Sequence, residues 1–340
     1  MEAPGENLLI KLWETLAEKG IGGLLQPWQE KRVANARLEI RKNELLNLAH
    51  VESQIIAIKS GKSFPPIQGN FKLIVDLSGS TNQNTRIEPT IDLSDLIIRT
   101  SQIEISENIR KEVNVAKAVI IAEDILAQDS QVPSEASIDD DWLFSWREYA
   151  GRVSSEELQS LWGKVLAGEI KQPNSYSMRT LEFLKNLSKS EAELISRAAK
   201  FVIGQWIYRN NDTILEKENI KFIHLLLLQD IGILSGVDTG LTQTFGSLEN
   251  DKFVIHFFAL NIVILLSHND PAKKVVNEVY LLTSVGREVL KLASIHINNE
   301  YLESIAKEYV KQGFDVKIAD WVPVHADGRG RFFNAKIIEA

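Results

Sequence analysis

The sequence predicts a mainly α-helical fold, in which a helical bundle is joined by a winged-helix-like α+β region and a small C-terminal β-ribbon. Three observations predict it. Apolar residues recur at helical spacing over residues 109–210, helix-capping residues precede the apolar stripes, and short apolar runs separated by turn residues are concentrated in the last third of the chain.

The composition is that of a chain with enough apolar material for one or two packed cores. Of the 340 residues, 44% are hydrophobic and 25% are charged, and there is no cysteine. Disulfides, zinc ribbons, iron–sulfur clusters and cysteine nucleophiles are therefore excluded, and a cytoplasmic location is expected. The net charge of −8 argues against binding nucleic acid over the whole surface, although a local basic face could still bind it.

The N-terminal segment, residues 1–62, is predicted to form amphipathic helices. Leu8, Leu12 and Leu16 lie on one helical stripe that ends at Gly20. A second helical pattern runs from Pro27 to about Lys59, and basic residues outnumber acidic ones seven to four between residues 28 and 62. A solvated helix face, and contact with an anionic membrane or a nucleic acid, are both compatible with this pattern.

Neither a signal peptide nor a membrane span is predicted. Acidic residues flank the first apolar run, and the longest apolar stretch, Phe253–Leu266, is shorter than the roughly 18 residues that a spanning helix needs. Residues 63–108 are rich in turn formers and are interpreted as a loop or β insertion. Within it, Phe71–Leu77 and Ile97–Ile105 are predicted to be short strands or extended loop.

The predicted helical core domain, residues 109–210, contains a series of helix starts. A helical pattern runs from Ile109 to about Pro133, and the further helices are capped at Asp139, at Ser154 with Glu157 in a capping box, at Ser177, and at Ser188 with Glu191 in a second box. The last of these helices is predicted to continue through Ile207. The tryptophans at 142, 146 and 162 are expected to pack in the core.

The winged-helix-like region is predicted at residues 211–299, and a C-terminal helix with a β-hairpin at 300–340. The region has a helix from about Glu216 to Gln229, apolar runs at 253–258, 260–267 and 275–282, and a helix from Ser284 to about His296. The last helix spans 300–312 and is followed by strands at Val316–Val324 and Phe332–Ile338.

Residues 139–181 resemble the bacterial proteins grouped as domain of unknown function 2806. The resemblance is carried by an Asp-Trp pair, a Ser with acidic residues and Gln, a Leu-Trp pair, a Leu-Ala-Gly-Glu run, a Pro and a Ser-x-Arg-Thr-Leu motif. Here the corresponding residues include Asp141, Trp142, Ser155, Glu157, Gln159, Trp162, Glu169, Pro173, Ser177, Arg179 and Thr180. Similar residues at Pro27, Trp28, Arg110, Asn114, Leu282, Thr283 and Gly286 extend the resemblance over most of the chain. Asn174 stands where the family usually has Gly.

The resemblance implies a biological setting, since related-looking helical proteins occur among phage-defence components. It implies no reaction or ligand, because the family is largely uncharacterised. The motif residues are expected to be structural. Glu157, Glu169 and Arg179 could form a buried polar network that joins successive helices, since carboxylate and guanidinium groups have complementary charge and geometry.

Three other sequence patterns contain residue types that could bind a metal ion or a phosphate group. Asp139–Asp141 offers carboxylates for a metal ion, but consecutive side chains diverge and a helix cap explains them equally well. Gly61–Ser63 imitates the end of a phosphate loop, yet Ile56 occupies the first glycine position. The six histidines show no metal-ligand spacing. The sequence predicts no cofactor and no metal.

The function predicted from the sequence is that of a non-enzymatic, cytoplasmic interaction or regulatory protein, with a protein partner or a second copy of itself and a phage-defence role as one setting. A winged-helix nucleic-acid binder is the first alternative, with Lys273 and Lys274 as its contacts. It is disfavoured because acidic residues outnumber basic ones ten to seven between residues 216 and 300. A metal-dependent nuclease or nucleotide hydrolase at Asp139–Asp141 is the second alternative.

Overall fold

A computed structural model of the protein describes residues 5–21, 51, 53, 93–129, 131–209, 211–293, 296–323 and 330–339. Apart from residues 51 and 53, the helix predicted from Pro27 to about Lys59 lies outside the described residues, as do Gly61–Ser63 and the strand predicted at Phe71–Leu77. The chain divides into two compact units, Met1–Asn174 and Ser175–Ala340.

The described part of the first unit is helical. It comprises α1 (Glu6–Glu18), α2 (Leu93–Ala127), α3 (Asp140–Arg152) and α4 (Glu156–Lys171). Helix α1 confirms the predicted stripe, since Leu8, Leu12 and Leu16 are buried and Gly20 follows with a φ of 63°. The strand or extended loop predicted at 97–105 is wrong, because these residues belong to α2. Their isoleucines favour a strand only weakly, and a long packed helix overrides that preference.

Helix α2 is the central element of this unit and packs against α1, α3 and α4. The crossing of α2 and α4 is close at Gly163, where an added Cβ would lie 2.7 Å from Ile121 Cγ2. Val119, Trp146 and Leu166 are among the fully buried side chains of this helical core. The predicted packing of the tryptophans is therefore confirmed in this unit.

The second unit mixes helices and strands. Its elements are α5 (Met178–Asn186), α6 (Lys189–Ala199), β1 (Trp206–Tyr208), α7 (Asp212–Lys217), α8 (Phe222–Asp230), β2 (Leu234–Ser235), β3 (Leu241–Phe245), β4 (Phe253–Ala259), β5 (Ile262–His268), β6 (Val275–Leu282), α9 (Ser284–Leu290), α10 (Asn299–Lys311), β7 (Asp315–Pro323) and β8 (Gly330–Ile338).

The prediction of a mainly α fold with a single small ribbon is wrong. The described strands form two antiparallel four-stranded sheets: β6 pairs with β1, β2 and β3 in one, and the other has the order β4-β5-β7-β8. The predicted hairpin of β7 and β8 does form, but β7 also pairs with β5, from Ile262 opposite Asp320 to Ser267 opposite Asp315. That pairing joins strands about 50 residues apart in sequence, and alternation within either strand does not reveal it.

Several helix boundaries also differ from the prediction; the helix predicted from Ser284 to about His296, for example, ends at Leu290. The helix that begins after Ser188 ends at Ala199, and residues 206–208 form β1 because they pair with β6. The helix predicted from Glu216 to Gln229 is two helices, α7 and α8, separated by residues 218–221. The left-handed Asn219, with a φ of 56°, lies in the turn between them.

A network of buried tyrosines holds α10 against β1 and β6. The Tyr309 hydroxyl donates to the Tyr208 hydroxyl at 2.5 Å, Asn277 Nδ2 donates to the same oxygen at 3.2 Å, and the Tyr208 amide donates to the Tyr301 hydroxyl at 2.7 Å. Burial raises the pKa of Tyr208 to about 12 and raises the pKa values of Tyr301 and Tyr309 above the ordinary value. These hydroxyls therefore stay protonated and serve as structural hydrogen-bond partners.

Among the described helices, none has both the length and the apolar character needed to cross a membrane.

Candidate functional site

The run Asp139–Asp141 is the start of helix α3. Asp139 Oδ1 accepts a hydrogen bond from the Trp142 amide at 2.9 Å, which confirms the predicted cap. Asp140 forms a 2.9 Å ion pair with Lys19, and Asp141 is exposed. A group of three or more metal-ligating side chains is not found within the described ranges.

The tryptophans of the motif are buried and one of them links two helices. Trp142 and Trp162 belong to the core, and the Trp146 indole N–H donates to the Trp162 carbonyl at 3.0 Å. The Tyr149 ring packs against the Trp162 ring with centroids 5.9 Å apart. These contacts fix α3 against α4 and leave the rings no access to a ligand.

Gln159 belongs to a buried pair of amides between α2 and α4. Its Nε2 donates to Asn114 Oδ1 at 3.2 Å, and Asn114 Nδ2 donates to the Gly151 carbonyl at 2.8 Å. Both side chains are almost fully buried. A buried amide destabilises the fold unless it is hydrogen-bonded. The hydrogen bond between these two side chains meets that requirement and fixes the position of α4 relative to α2.

The carboxylates of the motif differ in their environments. Glu157 is exposed on α4, whereas Glu169 is buried and accepts a hydrogen bond from the Asn174 amide at 2.5 Å. Burial lowers the pKa of Lys11, and the negative charge of Glu169 partly opposes this. Since Arg179 is also exposed, Glu169 is the buried member of the three residues considered for a polar network.

Asn174 occupies a backbone position that glycine suits best. Its φ is 68°, in the left-handed region, where L-residues are strained and Asn is among the better tolerated. This geometry explains why a glycine would be usual at this position of the motif.

The Ser-x-Arg-Thr-Leu motif forms the start of α5, and three of its members are structural. The Ser177 hydroxyl accepts from the Thr180 amide at 3.3 Å, which confirms the predicted cap, and Thr180 and Leu181 are fully buried. Arg179 is exposed and forms no hydrogen bond or ion pair with the residues that the structure describes.

Residues 99–206 match the sequence model of the family described as Protein of unknown function (DUF2806). This part of the chain belongs to the DUF2806 family. No curated protein and no solved structure matches the chain. The DUF2806 match includes every motif residue discussed above and ends at β1, so helix α8 lies beyond it. The resemblance expected at Pro27 and at Leu282–Gly286 also lies outside the matched range and stays a prediction.

Helix α8 presents an apolar surface that the sequence did not single out. Phe222, Ile223 and Leu227 are 55%, 64% and 40% exposed, whereas Leu225 and Leu228 are buried. Ile223, Leu227 and the half-buried Ile231 recur every four residues and so lie on one face; we call these three residues the α8 stripe. Because α8 is apolar all round, periodicity could not show which side would be left exposed.

The two lysines proposed as nucleic-acid contacts lie in the turn between β5 and β6. Lys273 Nζ donates to the Gly313 carbonyl at 3.0 Å and lies 4.2 Å from the centroid of the Phe314 ring. Lys274 is exposed. Lys273 is thus engaged in holding the turn that follows α10, and a phosphate would have to compete with those contacts.

Proposed function

We propose that this protein is an interaction protein that docks another protein on helix α8. The observation that carries the proposal is the outward position of Phe222, Ile223 and Leu227. Exposed apolar area of this kind is unfavourable in water, and its burial is the main source of favourable free energy in protein association.

The position of α8 in the fold supports the proposal. Helices α7 and α8 are joined by four residues, and strand β2, which pairs with β6, follows α8. The buried Leu225 and Leu228 anchor α8 to its unit, so the exposed side chains of the same helix are held in place for a partner.

The chemistry of α8 favours a protein over a nucleic acid as that partner. The helix, Phe222–Asp230, contains no lysine or arginine, whereas helices that enter a DNA groove use such residues for phosphate and base contacts. The excess of acidic residues over residues 216–300 and the engagement of Lys273 point the same way.

The proposal includes two statements about setting. A non-enzymatic role in the cytoplasm accords with a cysteine-free chain whose motif residues cap and pack helices. A part in phage defence is supported by the resemblance alone, and it does not indicate which protein docks on α8.

Site-specific photo-crosslinking tests the docking function. A photoreactive amino acid at Ile223 of the full chain should capture one polypeptide in source cells, whereas the same group at Val276, which is 50% exposed on β6, should not. Binding of the purified partner should weaken by at least about tenfold in Leu227→Asp, because a buried charge would replace an apolar contact.

Two outcomes would contradict this proposal. Equal capture from Ile223 and Val276 would mean that α8 is not a specific surface. Salt-dependent binding to duplex DNA that is lost in Ile223→Asp would instead identify α8 as a nucleic-acid reader.

A further inference from the structure

An open groove of about 430 Å³ continues the α8 stripe into the surface of the second unit. Its apolar lining includes Phe183 and Leu187, which belong to or follow α5, together with Ile231 and Val285. Ile231 is also the last member of the α8 stripe. The stripe and the groove therefore adjoin at Ile231.

The walls of this groove are fixed to one another by hydrogen bonds. The Ser177 amide donates to Glu288 Oε2 at 2.6 Å, which ties the start of α5 to α9. The Thr283 hydroxyl donates to the Gly232 carbonyl at 2.5 Å, which ties the start of α9 to the end of α8. A preformed surface loses little conformational entropy when it binds, so this rigidity favours docking.

Some charged side chains along the groove are bonded to other residues of the chain and one is not. Glu182 forms a 3.1 Å ion pair with Lys185. Glu191 accepts hydrogen bonds from the Ser188 hydroxyl at 2.6 Å and from the Ser188 amide at 2.8 Å, and these bonds lower the pKa of Glu191. Arg179 lines the same groove without a hydrogen bond or ion pair to any described residue.

A guanidinium group at the edge of an apolar surface is suited to one kind of occupant. It forms bidentate, charge-assisted hydrogen bonds with a carboxylate, and such bonds are stronger where the neighbouring apolar contacts exclude water. The two groove carboxylates already accept hydrogen bonds within the chain, whereas the N–H donors of Arg179 are left for a carboxylate of an incoming segment.

We propose that the groove receives a segment of the docked protein that brings an Asp or Glu side chain to Arg179 and apolar side chains to the α8 stripe. The inference rests on the proposed docking function and specifies its partner's chemistry. Ser177 caps α5 and Thr180 packs in its core, whereas Arg179 would bind the partner's carboxylate.

A selection from a library of random peptides tests this inference. The full chain is used as bait, and the peptides are displayed within a carrier loop so that none presents a free carboxyl terminus. Enriched peptides should contain an acidic residue at a fixed distance from apolar residues. Arg179→Ala should weaken their binding by at least about tenfold, the loss expected for a charge-assisted pair.

Arg331→Ala is the matched control, because Arg331 is an exposed arginine of the same unit whose side chain forms no hydrogen bond or ion pair with the described residues, and it should leave binding unchanged. Arg179→Glu should bind a peptide whose acidic residue is replaced by Lys better than it binds the original peptide. Circular dichroism checks that each variant is folded.

The failures of the inference and of the docking function are distinguishable. Peptides that depend on Leu227 but bind Arg179→Ala as well as the original chain would overturn the inference and leave the docking function standing. If no peptide is enriched, or if the enriched peptides bind Leu227→Asp unchanged, both are overturned.

Discussion

At Asn174 the backbone adopts a φ of 68°, and the cost of that conformation depends on a single side chain. The Asn174 amide donates to the buried Glu169 carboxylate, so the turn after α4 is held in place whatever side chain it carries.

The other informative residues at this scale are helix caps. Asp139, Ser177 and the Ser188–Glu191 box cap the helices as predicted, whereas α4 is capped by Ser155, one residue after the predicted Ser154.

We expect Asn174→Ala to lower the free energy of unfolding by about 1–2 kcal/mol, because alanine is strained at positive φ. Asn174→Gly should equal or exceed the original stability, since glycine adopts this conformation without strain. Urea denaturation of the full chain measures both. Asn250→Ala, at an exposed position of ordinary φ, is the control and should have little effect. Equal stability of the alanine and glycine variants would refute the strain.

The crossing of α2 and α4 decides how the first unit packs. An added Cβ at Gly163 would approach Ile121 Cγ2 to 2.7 Å and the Ala118 carbonyl oxygen to 3.0 Å, so glycine is needed for the helices to approach this closely. The apolar stripes of α3 and α4 were predicted from spacing. This close approach was not, because a glycine within a helix signals a contact without naming its partner.

Gly163→Ala should lower the midpoint of thermal unfolding. Overpacking should reduce the free energy of unfolding by about 1–3 kcal/mol. The gain in helix propensity, about 1 kcal/mol, offsets only part of that loss. Gly246→Ala is the control, since a Cβ there meets nothing within 4 Å. The loss caused by Gly163→Ala should be smaller in an Ile121→Ala background, because alanine lacks the Cγ2 that the added Cβ would clash with. Additive effects of the two substitutions would contradict this explanation.

At the scale of the whole molecule, the chain is two compact units that meet in sequence between Asn174 and Ser175. The second unit depends on contacts between its beginning and its end. Strand β1 pairs with β6, and the Phe201 ring packs edge-on against the Tyr301 ring with centroids 5.1 Å apart. A fragment that begins after β1 would lose both contacts and leave the hydroxyl of Tyr301 without its partner, the Tyr208 amide.

We expect residues 175–340 to fold on their own, because a compact unit has its own core. Residues 211–340, which begin at the boundary predicted from the sequence, should not unfold cooperatively, since they lack α5, α6 and β1. Calorimetry of the two purified fragments compares them. A cooperative transition in the shorter fragment, or its absence in the longer one, would show that the unit is delimited differently.

The sequence by itself determined the local features of this protein. The caps at Asp139, Ser177 and Ser188, the buried stripes of α1, α3 and α4, the terminal hairpin and the resemblance of residues 139–181 to DUF2806 all follow from residues close together along the chain. Only the tertiary structure decided that β5 pairs with β7, that residues 97–105 are helical, and that Ile223 and Leu227 face outward while Leu225 and Leu228 face the core. The physical reason is that strand pairing, and the exposure of a helix with apolar residues on every side, depend on partners distant in sequence, which periodicity within a segment does not specify.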